Sequence, residues 1–351
     1  MGKTGKASII FDKDIYIVEK ASVVGQKEGE GPLGKYFDNI VNDPFVGKNT
    51  WEEAESELQK LVVKTLLKKS GFTTKDIRYI FAGDLLGQLI ASSFGLMDFE
   101  IPFFGLYGAC STMGESMSLA AMNVAAGYAD NVIALTSSHF ASAEKQFRYP
   151  LEYGSQRPLC ATWTVTGSGG VIISSCIKSG IRIAGITTGK IVDYGITDSM
   201  NMGAAIPSSF RIFAAMAPAA CDSIYTNFMD FDVTPDYYDA IYTGDLGKVG
   251  RTILLDLMQE KGFDISSIHH DCGIEIFDDR YQDTHSGGSG CGCSAATLCA
   301  HILRKIEEGF YKRVLFVPTG ALMSTISYNE GQSVPGIAHC VVIERIDGGV
   351  Y

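Results

Sequence analysis

Apolar and polar positions divide the chain into strands and helices that follow one another. Ile15 to Val24 alternates as a strand does, and the Gly-, Glu- and Lys-rich stretch from Gly25 to Gly34 reads as a surface loop. Trp51 to Lys69 has apolar residues at helical spacing, acids in its first turn and lysines in its last, as the helix dipole favours, and Gly71 supplies the stop. Ile77 to Ala82 then predicts a strand, Gly83-Asp84 a turn and Leu85 to Leu96 a helix. Phe103, Phe104, Leu106 and Tyr107 close another strand, Gly108-Ala109 turn sharply, and a helical pattern of small and apolar residues starts at Thr112. Asn131 to Ser137 is again a strand. Strands alternating with helices predict an α/β fold with buried sheets.

The pattern repeats. Trp51 to Gly87 and Phe210 to Gly247 each read as helix, short link, strand and then Gly-Asp-Leu, at a constant offset. Farther on, GACSTMGESMSLAAMNVAAGYADNVIALTSS finds a counterpart in CGCSAATLCAHILRKIEEGFYKRVLFVPTG. The chain therefore reads as two related halves, 1–180 and 181–351, each with a glycine-rich elbow between a strand and a helix.

Composition narrows the class. At 351 residues with 46% hydrophobic content, the chain is long enough for a large core. Its nine cysteines lack the spacing of a small disulfide framework, and no basic segment followed by an apolar run opens the chain, so a reducing compartment is expected. No apolar run approaches the roughly 20 residues of a spanning helix. A net charge of −11 argues against broad binding to nucleic acid or anionic lipid.

Cys110 is the residue with the most chemistry behind it. On a strand-to-helix elbow, the first-turn amides and the dipole of the helix favour a thiolate or an anionic ligand. Among the histidines, His139 ends the strand from Asn131, and His285 lies four residues before Ser289 on the second elbow. His269 and His270 fall in what reads as an insertion specific to the second half, His301 on a helix and His339 on a late strand. Cys291, Cys293 and Cys299 lack the spacing of a zinc site, and Gly287-Gly288-Ser289-Gly290 lacks the residues of a nucleotide-binding loop. No metal or cofactor is expected.

Two α/β halves with a cysteine on the first elbow resemble the thiolase fold of thiolases and ketoacyl synthases. The segments around Cys110 and from Ser286 to Ser324 resemble more closely the stage V sporulation protein AD family of endospore-forming bacteria. The resemblance implies five layers and a homodimer. It also implies binding of pyridine-2,6-dicarboxylic acid, alone or as its calcium chelate, during uptake into the developing spore. Partner membrane subunits would hold the otherwise soluble protein at the cytoplasmic face of the spore inner membrane. Condensing enzymes add His or Asn partners from the second half. Thr243 stands at one such position and the elbow Ser289-Gly290-Cys291 at the other, so neither offers an imidazole or an amide. The expected binding residues are Cys110, Ser111, Thr112, His139, Arg157, Thr243, His285 and Ser289, with Arg148 a further source of charge. The alternative is an acyltransferase with Cys110 as nucleophile and His139 or His285 as base.

Overall fold

Ten strands run along the main path of a thirteen-stranded sheet in the computed structural model, which describes residues 2–147, 159–195, 206–208, 211–213 and 215–346. They are β1 (Tyr16–Gly25), β2 (Tyr79–Gly83), β3 (Phe103–Gly105), β4 (Asn131–Ser138), β5 (Gly167–Ser174), β6 (Ile181–Thr187), β7 (Ala240–Thr243), β8 (His269–Asp271), β9 (Arg313–Val317) and β10 (Cys340–Arg345). Their spatial order is β8-β7-β9-β10-β6-β1-β5-β4-β2-β3. Each first-half strand thus has its counterpart five strands later at the mirrored place. The pairing senses agree as well: β2 is parallel to β3 and β4, as β7 is to β8 and β9, while β5 and β10 run antiparallel to both of their neighbours. Even a register shift recurs, at Ile17/Glu19 and at Ile183/Gly185. The halves meet where Arg182 of β6 pairs with Tyr16 of β1.

The inner strands are buried on both faces, which is why they read as near-continuous apolar runs. On β4, Val132 and Ala134 face the molecular centre, whereas Ile133 and Leu135 face the outside of the first half. On β9, Val314 and Phe316 face the centre, and Leu315 and Val317 the outside of the second half. Between the sheets lie α2 (Thr112–Ala125) and, later in the chain, α6 (Cys291–Thr297). Outside the first half lies α1 (Trp51–Ser70), which contributes Leu58, Val62, Val63 and Leu66 to the outer core. Outside the second half, α4 (Ala217–Phe231) and α5 (Gly247–Glu260) contribute Ile224, Phe228, Leu254 and Met258. The result is the expected helix, sheet, helix, sheet, helix stack. Fully buried Met113 and Met117 anchor the middle layer, and truncating either to Ala would cost about 2–5 kcal/mol.

Local signals account for the ends. Thr50 and Glu53 form a capping box at the start of α1, and Gly71 ends it at φ 73°. Three readings change. The loop after β1 contains a short helix, Gln26–Gly29, whose Glu28 is buried. Regular helix after the first Gly-Asp-Leu spans only Ile90–Leu96. His269 and His270 are not in an insertion but on β8, the counterpart of β3. With three residues, two of them histidine, β8 carries no apolar pattern by which to recognise it.

Candidate functional site

The elbow forms as its sequence dictates. After β3, the chain turns through Gly108 and Ala109, and α2 begins at Thr112. Ala109 takes φ 49°, a left-handed conformation that costs a non-glycine residue about 1–2 kcal/mol. The turn thereby directs Cys110 toward the second half. Cys110 is 8% exposed, on a cavity lined by Leu85, Tyr107, Phe147, Thr164, Met216 and Ser289 among others. In this conformation the cavity is narrow, about 20 Å³, room for a single water.

The group that meets the thiol is Asp245, from the Gly-Asp-Leu turn after β7. Its buried carboxylate acts electrostatically on the Cys110 thiol. One carboxylate oxygen accepts from Ser289 Oγ at 3.0 Å and the Gly290 amide at 2.9 Å, and the other accepts from Thr319 Oγ1 at 2.8 Å. The Asp245 amide returns to Thr319 Oγ1 at 3.2 Å. Gly290 adopts φ 101°, and a Cβ there would lie 2.6 Å from Ser138 Oγ, so only glycine lets the second elbow approach so closely. Burial, and then the charge of Asp245, push the Cys110 thiol well above its ordinary pKa. Burial also raises Asp245. The site is therefore built to keep Cys110 protonated. A cysteine nucleophile needs the opposite, a cation or an imidazole that stabilises thiolate.

The expected binding residues do not all converge here. Cys110 and Ser289 line the same cavity. Ser111 Oγ donates to the Gly108 carbonyl at 2.6 Å and Thr112 Oγ1 to that of Ala109 at 2.6 Å, so both hydroxyls close the elbow on itself. Thr243 Oγ1 donates to Asp271 at 2.7 Å and lies 3.0 Å from His269 Nε2. It belongs to a buried cluster in which burial lowers His269 to about 3 and raises Asp271 to about 6. His139 is 2% exposed. Its Nδ1 accepts the Ala141 amide at 3.1 Å, so its Nε2 donates to the Pro44 carbonyl at 2.8 Å, a neutral imidazole that burial keeps below its ordinary pKa. His285, at φ 53°, lies 3.0 Å from Asp283 and is not on the Cys110 cavity. Arg148 and Arg157 lie outside the described residues. Sequence reasoning missed Asp245, Thr164, Glu144 and Thr319. For Asp245 a signal existed, an acid two residues past the position where condensing enzymes carry histidine, but the repeated motif made it read as a turn.

Comparisons with known proteins place the chain in a family and a fold. A sequence model described as stage V sporulation protein AD (SpoVAD) matches residues 5–344. The stage V sporulation protein AD of Bacillus subtilis (strain 168) is 42% identical over 348 residues, covering 99% of both chains. The chain belongs to the stage V sporulation protein AD family. Solved structures of similar fold include the 3-oxoacyl-[acyl-carrier-protein] synthase III of Aquifex aeolicus VF5, with a TM-score of 0.55 at 12% identity, covering 94% of this chain and 99% of that one. An OleA variant from Xanthomonas campestris gives 0.57 at 11% identity, covering 96% of this chain and 100% of that one. At such identities the likeness establishes the thiolase-like fold. The family membership carries the role in sporulation. Among the described residues, no helix is long and apolar enough to cross a membrane.

Proposed function

We propose that this sporulation protein uses the thiolase fold to bind a ligand at the Cys110 cavity and does not catalyse acyl transfer there. The observation that carries the reading is the partner of the thiol, a buried carboxylate in place of an imidazole. With no imidazole beside it among the described residues and its thiolate disfavoured, Cys110 lacks what a condensing nucleophile relies on.

The ligand in this reading is pyridine-2,6-dicarboxylic acid as its calcium chelate. Glu144 lines the cavity and Asp245 stands behind Cys110, and no Lys or Arg is among the described lining residues. A free dianion would meet that acidic wall unfavourably, whereas the chelate is neutral, and carboxylate oxygens are the ligands calcium prefers. Ser289, Thr164 and the glycines of the second elbow supply small polar surface beside a flat ring. Given the size of the cavity, binding displaces the side chains of Tyr107 and Phe147. The protein would serve uptake of the chelate into the developing spore, held at the cytoplasmic face of the inner membrane by membrane subunits. It would pair as a homodimer through the edge strand β3, where Phe103 and Phe104 are 38% and 48% exposed.

Calorimetric titration tests the ligand. Saturable heat with the calcium chelate and much weaker heat with the dicarboxylate plus a calcium chelator is expected. Equal binding of the calcium-free form would contradict the acidic-wall account. A stable acyl adduct on Cys110 after incubation with acyl-coenzyme A, with turnover, would favour the enzymatic reading.

A further inference from the structure

The sequence holds two tryptophans, and both lie on one cleft away from Cys110. The cleft has a volume of about 420 Å³ and is walled by Trp51, Trp163, Phe140 and His139, with Pro44 and Val41 at its side. Phe45 stacks on Trp51 at 3.6 Å, and within the wall Phe140 stacks on Trp163 at 4.0 Å, so ring against ring holds the aromatic walls in place. At its end lies Glu28, on the short helix Gln26–Gly29. Glu28 is 1% exposed; one carboxyl oxygen accepts the Thr166 amide at 3.0 Å and the other has no hydrogen-bond partner. A carboxyl oxygen withdrawn from water and left unpaired is destabilising, a deficit that a donor entering the cleft would remove.

We infer that this cleft is a binding site for a small flat organic cation, such as an amidinium, which donates to the unpaired oxygen of Glu28 while its plane lies among the aromatic rings. Aromatic faces attract cations through their quadrupole, and Lys27 already demonstrates it here, its ammonium 4.2 Å from the centre of the Trp163 ring. The site differs from the Cys110 cavity yet shares a wall with it. On the strand Trp163–Thr164, Trp163 faces the cleft and Thr164 the cavity. On α3 (Phe140–Phe147), Phe140 and Ala141 face the cleft while Ala143 and Glu144 face the cavity.

Binding is coupled to a proton. Burial raises Glu28 to about 7. The other titratable groups on the cleft are Lys27 and Glu30 beside it and His139 across it. The charge of Lys27 acts on Glu28 and opposes the rise. A cation selects the ionised carboxylate, so its affinity increases with pH through that range.

Benzamidine is a suitable probe, and because both tryptophans line the cleft, intrinsic fluorescence reports on it directly. The expected result is a saturable fluorescence change with benzamidine, little with neutral benzamide, tighter binding at about pH 8 than at about pH 6, and a loss of about tenfold or more in Glu28→Gln. Cys110→Ala should bind benzamidine as well as the parent, which separates this site from the proposed ligand cavity. Absence of a saturable change, equal response to benzamide, or pH-independent affinity in the parent protein would overturn the inference, whether or not Glu28→Gln folds.

Discussion

The two Gly-Asp-Leu turns occupy equivalent places in the two halves and do different work. After β2, Asp84 is consumed locally: one oxygen accepts the Leu86 amide at 2.8 Å, the other the amide and hydroxyl of Ser92 at 2.8 and 2.6 Å. Nearby Glu55 accepts from Ser137 and Ser142. After β7, Asp245 instead reaches across to the second elbow, to Thr319 and to Cys110. Duplication reproduced the backbone, and the difference lies in what each acid meets. The first turn is a structural knot, and the second gathers the candidate site.

The elbows offer the largest break in that comparison. Gly290→Ala should lose about 2–5 kcal/mol by denaturant unfolding, since a side chain at φ 101° would collide with Ser138. The matched change Ala109→Gly relieves a strained φ of 49° and should stay within about 1 kcal/mol of the parent.

Next in size is the pH dependence of the first turn. Burial, then the Asp84 charge, raise Glu55 from 4.5 to about 8. The folded state thus keeps a proton that the unfolded chain releases. This contribution is fully present below about pH 4.5 and falls as pH rises toward about 8. Glu55→Gln should flatten that part of the stability profile by on the order of 1–3 kcal/mol, and leave Cys110 reactivity unchanged. A smaller effect is expected of Ser289→Ala, which removes one of the donors to Asp245 and should cost about 1 kcal/mol while weakening chelate binding.

Much of the fold is legible because its signals are local and duplicated. Trp51 to Lys69 has cap, period and stop, and the parallel strands are buried apolar runs. The elbow around Cys110 is legible through Gly108-Ala109 and the small residues after it. Illegible were features fixed by tertiary contact. Ser111 and Thr112 have the right chemistry for a ligand but satisfy carbonyls of their own turn. Thr243 has the right position in the chain but turns to Asp271. Asp245 and Asp84 share a motif, and no local pattern tells which of the two reaches a cysteine 135 residues away.

The central claim is that burial together with the charge of Asp245 keeps Cys110 a thiol, and the pH dependence of its alkylation tests it most directly. Iodoacetamide labelling of Cys110, followed by peptide mass spectrometry, should be slow in the parent protein up to about pH 9. It should accelerate and shift to lower pH in Asp245→Asn but not in Asp84→Asn. Rapid labelling of the parent near neutral pH, unchanged in Asp245→Asn, would mean that Cys110 is an activated thiolate and would contradict the account.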